Sequence, residues 1–238
     1  MAGVKSSRGL AAVYAATIFL SAFLLFQVQP MIAKFILPWF GGSAAVWSAA
    51  LLFFQLLLLA GYLYAHISIR YLKPKFQLWV HAALLAIAAV TLPIVPAARW
   101  KPTAGGDPTL QILILLVATV GLPYGLLSST SPLLQAWYVR THSGAIPYRL
   151  FALSNFGSML ALLSYPIVVE PRMTLGAQAR MWSWAFGAFA LVCVLAIMAV
   201  QLVRRFIGSI ARSQAEPVQP DHPTGGPLPL GGPRAHAL

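Results

Sequence analysis

Six apolar stretches, each close to the length that crosses a membrane, run through most of this sequence. They lie at about 10–30, 44–66, 77–97, 109–131, 148–169 and 180–203. A helix needs roughly 20 apolar residues to cross a hydrocarbon core, and within lipid only helices and closed barrels satisfy their own backbone polar groups. The sequence therefore predicts an all-α membrane protein with about six transmembrane helices.

Charged residues are scarce, and acidic ones are nearly absent. Of 238 residues, 8% are charged and 59% are hydrophobic, whereas about 25% of the residues in a typical soluble domain are charged. A soluble surface needs many interspersed charges of both signs, so a soluble globular enzyme is excluded. The single cysteine, Cys193, lies inside an apolar run and excludes an internal disulfide.

The basic residues indicate membrane orientation rather than nucleic-acid binding. The formal net charge is +12, but Lys and Arg occur singly or in twos and threes between the spans, without the clustered basic face that nucleic acid requires. This pattern favours membrane lipids with anionic headgroups as partners. With both termini cytoplasmic, ten Lys and Arg flank the spans inside and five flank them outside, which the positive-inside rule favours.

The composition changes near the C-terminus, which divides the chain into two parts. Residues 1–212 are predicted to form the polytopic helical membrane domain. The 26 residues of 213–238 include six Pro and four Gly and show almost no periodic apolar pattern. Such a segment buries too little apolar area to offset its chain entropy, so we predict a disordered tail. A linker to a further domain and a plain terminus are equally good interpretations of it.

Two of the spans share an unusual pattern, in which a proline follows the apolar stretch and a second short apolar piece comes after it. Shifting the sequence by 102 residues places Pro30 on Pro132 and Phe54 on Phe156, and carries the second and third spans onto the fifth and sixth. A three-span unit repeated in this way would be inverted in the membrane, as in many transporters with binding sites at broken helices. Two ordinary helices that end at a proline are the alternative.

Polar side chains inside the spans are the candidate site residues, because intramembrane polar groups need either a partner or a function. Gln27 and Gln29 lie on different faces of a helix, so at most one readily points into a given cavity. A cavity shared by the two prolines would be lined by Gln27 or Gln29 on one side and by Ser131 and Gln135 on the other, with Glu170 at its rim. The predicted ligand-binding residues are Gln27, Gln29, Ser131, Gln135, Asn155 and Glu170.

Each candidate also has a structural interpretation. For Asn155 in the SNFGS segment, helix–helix packing is favoured over a pore or pocket lining. For the SSTSP segment around Ser131 the two interpretations are balanced. For Glu170, an end-of-helix ion pair with Arg172 is favoured over a cation-binding role. No HExxH, GxSxG, Walker A or GxGxxG motif occurs, so no catalytic, cofactor-binding or metal-binding residue is predicted.

Two segments carry a resemblance to a known family. They are FLSAFLLFQVQPMIAKFILPWFGGSAAVWSAALLFFQLLLLAGYLYAH at 19–66 and LSSTSPLLQAWYVRTHSGAIPYRLFALSNFGSMLALLSYPIVVEP at 127–171. With the order of QPM, ILPWFGGSAAVW, SSTSPLLQ, SNFGS and EP, the chain over about 10–203 resembles the membrane region of bacterial spermidine synthase-like membrane proteins, which combine a transporter-like region with a spermidine synthase.

The resemblance implies a location and two possible functions. The location is the bacterial inner membrane, in many passes. Complete family members continue into an aminopropyltransferase domain that has no counterpart here after Arg212, so we expect no enzymatic activity and no cofactor. The first functional hypothesis is a module that binds or transports a small molecule related to polyamines. The alternative is a non-catalytic structural or accessory subunit of a larger complex. A separate subunit or a downstream aminopropyltransferase domain is the implied partner.

The orientation can be tested by cysteine accessibility. On a Cys193→Ala background, single cysteines in the 67–76 loop should react with a membrane-impermeant maleimide only in inside-out vesicles, because this loop carries Arg70, Lys73 and Lys75. Cysteines in the 99–108 loop should react in intact cells. The reverse labelling pattern would contradict the predicted orientation.

Overall fold

The computed structural model describes residues 2–102, 107–141 and 148–215. These residues form helices connected by loops, with no strand among them. The helices are α1 (Ala2–Ile36), α2 (Ala44–Tyr71), α3 (Pro74–Val90), α4 (Pro108–Leu116), α5 (Leu122–Thr141), α6 (Tyr148–Ser164), α7 (Glu170–Arg172) and α8 (Leu175–Ala215). Short π-helical segments at Val117–Gly121 and Tyr165–Val169 join α4 to α5 and α6 to α7. The predicted all-α membrane fold is confirmed.

Within the described residues, five helical stretches are long and apolar enough to cross a membrane. They are Ala11–Ile36, Ala44–Tyr71, Pro108–Arg140, Tyr148–Arg172 and Leu175–Ala199. The third predicted span corresponds to α3, an apolar helix of 17 residues. It ends at Val90 rather than at 97, because the chain turns into a loop that contains Pro93 and Pro96. The chain is therefore a multi-pass membrane protein.

The expected interruptions at the two prolines are wrong. Pro30 lies inside α1, and Pro132 lies inside α5. A proline removes one backbone hydrogen bond and crowds the preceding turn, but packed neighbours can hold a membrane helix together across it. Both helices have such neighbours, because Met31 and Leu133 are almost fully buried.

α1 and α5 form the centre of the bundle. α1 packs along α6 and α5, while α2 packs along α5 and α4, and α3 rests on α5. The shift of 102 residues carries α1 onto α4 and α5 and carries α2 onto α6. It therefore exchanges the two most extensive helix pairs, α1 with α6 and α2 with α5, as a repeat would require. The inverted orientation of the two units stays a prediction.

Glycines set the closest helix contacts. A Cβ at Gly61 would lie 2.9 Å from the Gly125 carbonyl oxygen, so α2 and α5 approach backbone to backbone. A Cβ at Gly157 would lie 3.0 Å from the Phe19 carbonyl oxygen in α1. Small residues allow this approach in membranes, where dispersion contacts hold helices together. The packing interpretation of the SNFGS segment thus holds for its glycine.

The buried Gln77 side chain ties three helices together. Its Nε2 donates to the Ser68 and Leu72 carbonyl oxygens at the end of α2, at 2.7 and 2.9 Å. Its Oε1 accepts from Trp137 Nε1 at 3.1 Å and from Arg140 Nη1 at 3.3 Å, both in α5. An amide offers two donors and one acceptor oxygen, and here both sides are used. Gln77 therefore fixes the ends of α2 and α5 relative to α3.

The predicted domain boundary after Arg212 falls within α8, which ends at Ala215. The rest of the predicted tail, 216–238, lies outside the described residues. Residues 2–203 belong to one compact unit, and a second unit begins at Arg204.

Removing the Gln77 amide should destabilise the protein. In Gln77→Leu, the Leu72 carbonyl loses the Nε2 donor and the Ser68 carbonyl keeps only the Leu72 N–H, and a buried polar group left without its partner costs about 1–3 kcal/mol. We expect the midpoint of thermal unfolding in detergent to fall by several degrees. Gln111→Leu is the control, because Gln111 is a half-buried amide of α4 whose side chain makes no hydrogen bond within the part of the chain that the structure describes. Equal midpoints for the two variants would contradict the role given to Gln77.

Candidate functional site

Two cavities follow one another along α1, between α2 and α6. The first, called the charged cavity here, has a volume of about 370 Å³ and is lined by residues that include Gln29, Lys34, Trp47, Phe54, Tyr165 and Glu170. The second, called the hydroxyl cavity, has a volume of about 220 Å³ and carries its polar groups on Ser21, Ser128, Ser131, Ser154, Asn155 and Ser158.

The two cavities lie one helical turn apart on three helices. Moving from the hydroxyl cavity to the charged cavity means passing from Phe26 to Gln29 on α1, from Leu58 to Phe54 on α2 and from Ser158 to Leu162 on α6. Each step is three or four residues, which is about 5.4 Å along a helix. The cavities are therefore consecutive parts of one groove.

An ion pair between Lys34 and Glu170 distinguishes the charged cavity. The Lys34 ammonium also lies 5.8 Å from the centre of the Tyr165 ring, within range of a cation–π interaction. About two fifths of each charged side chain is exposed, 36% for Lys34 and 40% for Glu170. The pair has no net charge, yet both ends can be reached from outside the protein.

The expected ion pair between Glu170 and Arg172 is wrong. Arg172 Nη1 donates instead to the carbonyl oxygens of Ile167 and Val168, at 3.0 and 3.3 Å. These carbonyls belong to the π-helical segment before α7, where the regular helical bonding pattern changes. Arg172 therefore forms hydrogen bonds with the local backbone, and the Glu170 carboxylate pairs with Lys34 instead.

Gln29 connects the charged cavity to α5. Its Nε2 donates to the Tyr124 hydroxyl at 3.0 Å, and Tyr124 is buried beneath Phe54 with ring centres 5.0 Å apart. Gln27 lies on another face of α1, as expected, and is also buried. Its Nε2 has no hydrogen-bond partner among the residues that the structure describes.

Three of the serine hydroxyls in the hydroxyl cavity are left as hydrogen-bond acceptors. Ser21 donates to the Ile18 carbonyl at 2.9 Å, Ser128 to Gly125 at 2.9 Å and Ser158 to Ser154 at 3.0 Å. A hydroxyl has one proton and two lone pairs, so these three side chains have used their donors inside their own helices. What they can still offer a ligand is acceptor oxygen.

Each of the two prolines removes the helical donor of a residue that lines the hydroxyl cavity. Pro30 has no N–H for the carbonyl of Phe26, and Pro132 has none for the carbonyl of Ser128, because each proline removes the bond to the residue four positions earlier. Phe26 and Ser128 both line the hydroxyl cavity. They are related by the 102-residue shift, as the two prolines are.

The predicted site residues thus fall into three groups. Gln29 and Glu170 line the charged cavity, while Ser131 and Asn155 line the hydroxyl cavity. Gln135 lines neither cavity, but its Nε2 donates to the hydroxyl of the lining residue Ser131 at 3.0 Å. Gln27 lines neither cavity. The structure thus divides between two regions the residues expected around a single cavity, which were Gln27 or Gln29, Ser131 and Gln135, with Glu170 at the rim. Ligand binding by the six candidate residues stays a prediction.

Several lining residues were not predicted. Lys34 is a single cation near the end of the first span, and nothing in the local sequence indicates that it would meet Glu170. Tyr124 and Tyr165 look like ordinary aromatic residues of apolar spans. Ser21 is one serine in a span of apolar residues. A three- or four-residue spacing of serines on α5 and α6 is the one local signal, visible in Ser128, Ser131, Ser154 and Ser158.

The described residues provide no metal centre, since no three His, Cys, Asp or Glu side chains among them come together. Comparison of the chain with models of protein families, with curated proteins and with solved structures found no match. The resemblance to spermidine synthase-like membrane proteins therefore stays a prediction.

Proposed function

We propose that this chain is an integral membrane module that binds a small amine-bearing molecule in the hydroxyl cavity. The observation that carries the proposal is the chemistry of that cavity, where three serine hydroxyls have already donated their protons to helix carbonyls. A ligand rich in donors and poor in acceptors complements such a lining. A primary ammonium group has three N–H donors and no acceptor.

The two prolines support a transporter-like module. Backbone carbonyls without a helical partner persist at membrane depth only beside protein or water, and transporters use such carbonyls to coordinate cations. Phe26 and Ser128, whose carbonyls lose a helical donor, both line the cavity. The ring of Tyr62, another lining residue, can add a cation–π contact.

Polyamines are the substrate class that the family resemblance implies, and we propose them as the first ligands to test. Because Glu170 already pairs with Lys34, the proposal places an ammonium group among the hydroxyls rather than at the carboxylate. The module is proposed to act without catalysis, in a bacterial inner membrane, with both termini cytoplasmic.

Binding of radiolabelled spermidine to the purified chain in nanodiscs tests this function. We expect saturable binding, and we expect Ser21→Ala and Ser158→Ala each to raise the Kd about tenfold, since a hydrogen bond to a charged group contributes about 1.5–3 kcal/mol. Ser183→Ala is the matched control, because this serine donates to the Ala179 carbonyl at 2.7 Å and lines neither cavity.

Two results would contradict the proposal. One is the absence of saturable binding at millimolar spermidine in a folded preparation. The other is an equal Kd for the cavity variants and the Ser183→Ala control. Agmatine and putrescine, measured alongside spermidine, report whether the cavity prefers one ammonium spacing.

A structural or accessory subunit is the second candidate, and Gln55 favours it. This amide is exposed in the middle of α2, on a face that also exposes Leu52, Leu56 and Leu59. A polar side chain at this depth is costly in lipid, and amides commonly form hydrogen bonds across helix interfaces in membranes. A partner helix over this face would satisfy Gln55.

Native electrophoresis of digitonin extracts distinguishes the second candidate. If the chain is an accessory subunit, the wild type should migrate in a larger assembly, and Gln55→Leu should shift part of it to the monomer position, because the amide contact is lost. Leu52→Ala, on the same face, should leave the assembly largely intact. Migration of the wild type as a monomer would argue against an accessory role.

A further inference from the structure

We propose that the charged cavity is a phospholipid site for phosphatidylethanolamine, whose headgroup carries both a phosphate and a primary ammonium. This inference goes beyond the amine-binding function, which uses the hydroxyl cavity and different residues. It depends on where the Lys34–Glu170 pair lies, on its two opposite charges and on the apolar lining beside it.

The ion pair lies at the depth of lipid headgroups. Lys34 is two residues from the end of α1 at Ile36, and Glu170 is two residues from the end of the membrane-crossing stretch at Arg172. Both spans therefore end on the same side of the membrane, and the pair is close to that interface. Trp47, near the start of α2, adds an aromatic ring typical of this depth.

The two charges match a zwitterionic headgroup. The lipid phosphate can take the Lys34 ammonium, and the lipid ammonium can donate to the Glu170 carboxylate, so one ion pair is exchanged for two. Both side chains are partly exposed, so the exchange needs no unfolding. A purely anionic headgroup would pair with Lys34 but would leave Glu170 facing a like charge, which is unfavourable.

The rest of the cavity suits an acyl chain. Its lining is largely apolar and includes Leu51, Phe54 and Leu162. Leu51 and Leu162 are 42% and 48% exposed, so the cavity extends to the lipid-facing surface of the bundle. α2 packs on α5 and α6 packs on α1, which leaves the space between α2 and α6 for a chain to enter from the membrane.

Native mass spectrometry of the delipidated, detergent-solubilised chain tests the site with three dioleoyl lipids. Phosphatidylethanolamine should bind about tenfold more tightly than phosphatidylcholine, because the quaternary ammonium of choline has no N–H to donate to Glu170. Phosphatidylglycerol should also bind more weakly, since it has no ammonium. Equal affinities for the three lipids would overturn the proposal.

Variants assign the preference to each charge. Glu170→Gln should lower the affinity for phosphatidylethanolamine to the level of phosphatidylcholine, whereas Glu170→Asp should keep a preference. Lys34→Gln should weaken the binding of both phosphatidylethanolamine and phosphatidylcholine, because both lipids carry a phosphate. Arg172→Gln is the control, since Arg172 is two residues from Glu170 but bonds to backbone carbonyls.

Other outcomes would also overturn the site. A preference that persists in Glu170→Gln would remove the carboxylate from the interaction, and a preference lost in Arg172→Gln would indicate a general effect of surface charge. Displacement of the bound lipid by an equal concentration of soluble phosphoethanolamine would show that the headgroup alone suffices, and the acyl-chain part of the inference would fail. If Glu170→Gln does not fold, the comparison of Glu170→Asp with wild type still decides, because a preference for phosphatidylethanolamine that is absent in both contradicts the site.

Discussion

Hydrogen bonds from polar side chains that are buried away from water fix how the helices of this bundle are arranged. Hydrocarbon offers no hydrogen bonds, so an amide, hydroxyl or indole inside the bundle is stabilised when it finds a partner in the protein. Gln77 does so by taking two carbonyls of α2 and two donors of α5. Trp182 does so across a larger distance in sequence, since its Nε1 donates to the Leu24 carbonyl of α1 at 2.9 Å. These bonds fix helix ends and helix rotation, and the grooves between helices follow from them.

The sequence was sufficient for those features that depend on local composition. The apolar stretches predicted where helices lie, and the opposite faces of Gln27 and Gln29 follow from helical periodicity alone. The pairing of Lys34 with Glu170 could not be predicted in this way, because it depends on α1 and α6 lying side by side. In the sequence, Arg172 is the nearer cation, and nothing there shows that backbone carbonyls engage it. The tertiary contact with Lys34 and the backbone bonds of Arg172 together determine which cation pairs with Glu170.

The prolines show how a correct physical premise can lead to an incorrect local structure. Pro30 and Pro132 do remove backbone hydrogen bonds, but neither ends its helix. Buried neighbours hold α1 and α5 in helical form, so the freed carbonyls remain within continuous helices. Phe26 and Ser128 then line one polar cavity without an unwound segment. A continuous helix that contains a proline can therefore also leave a backbone carbonyl without its helical donor beside a cavity, as was expected of a broken helix.

The two cavities of the groove differ in what they present to a ligand, since one carries an ion pair and the other carries uncharged hydroxyls. In the charged cavity, Lys34 and Glu170 neutralise each other, so the lipid that we propose there has to offer both a negative and a positive group in place of the pair that it separates. One helical turn away, in the hydroxyl cavity, the serines offer neutral acceptor oxygens. A cation there meets no positive side chain that would repel it and no carboxylate that would attract it. For the two sites that we propose, selectivity is therefore expected to depend on the pairing of charges in the charged cavity and on the number of ligand N–H donors in the hydroxyl cavity. Because water screens charges near the interface and less so in the interior, salt should weaken the first kind of recognition more than the second.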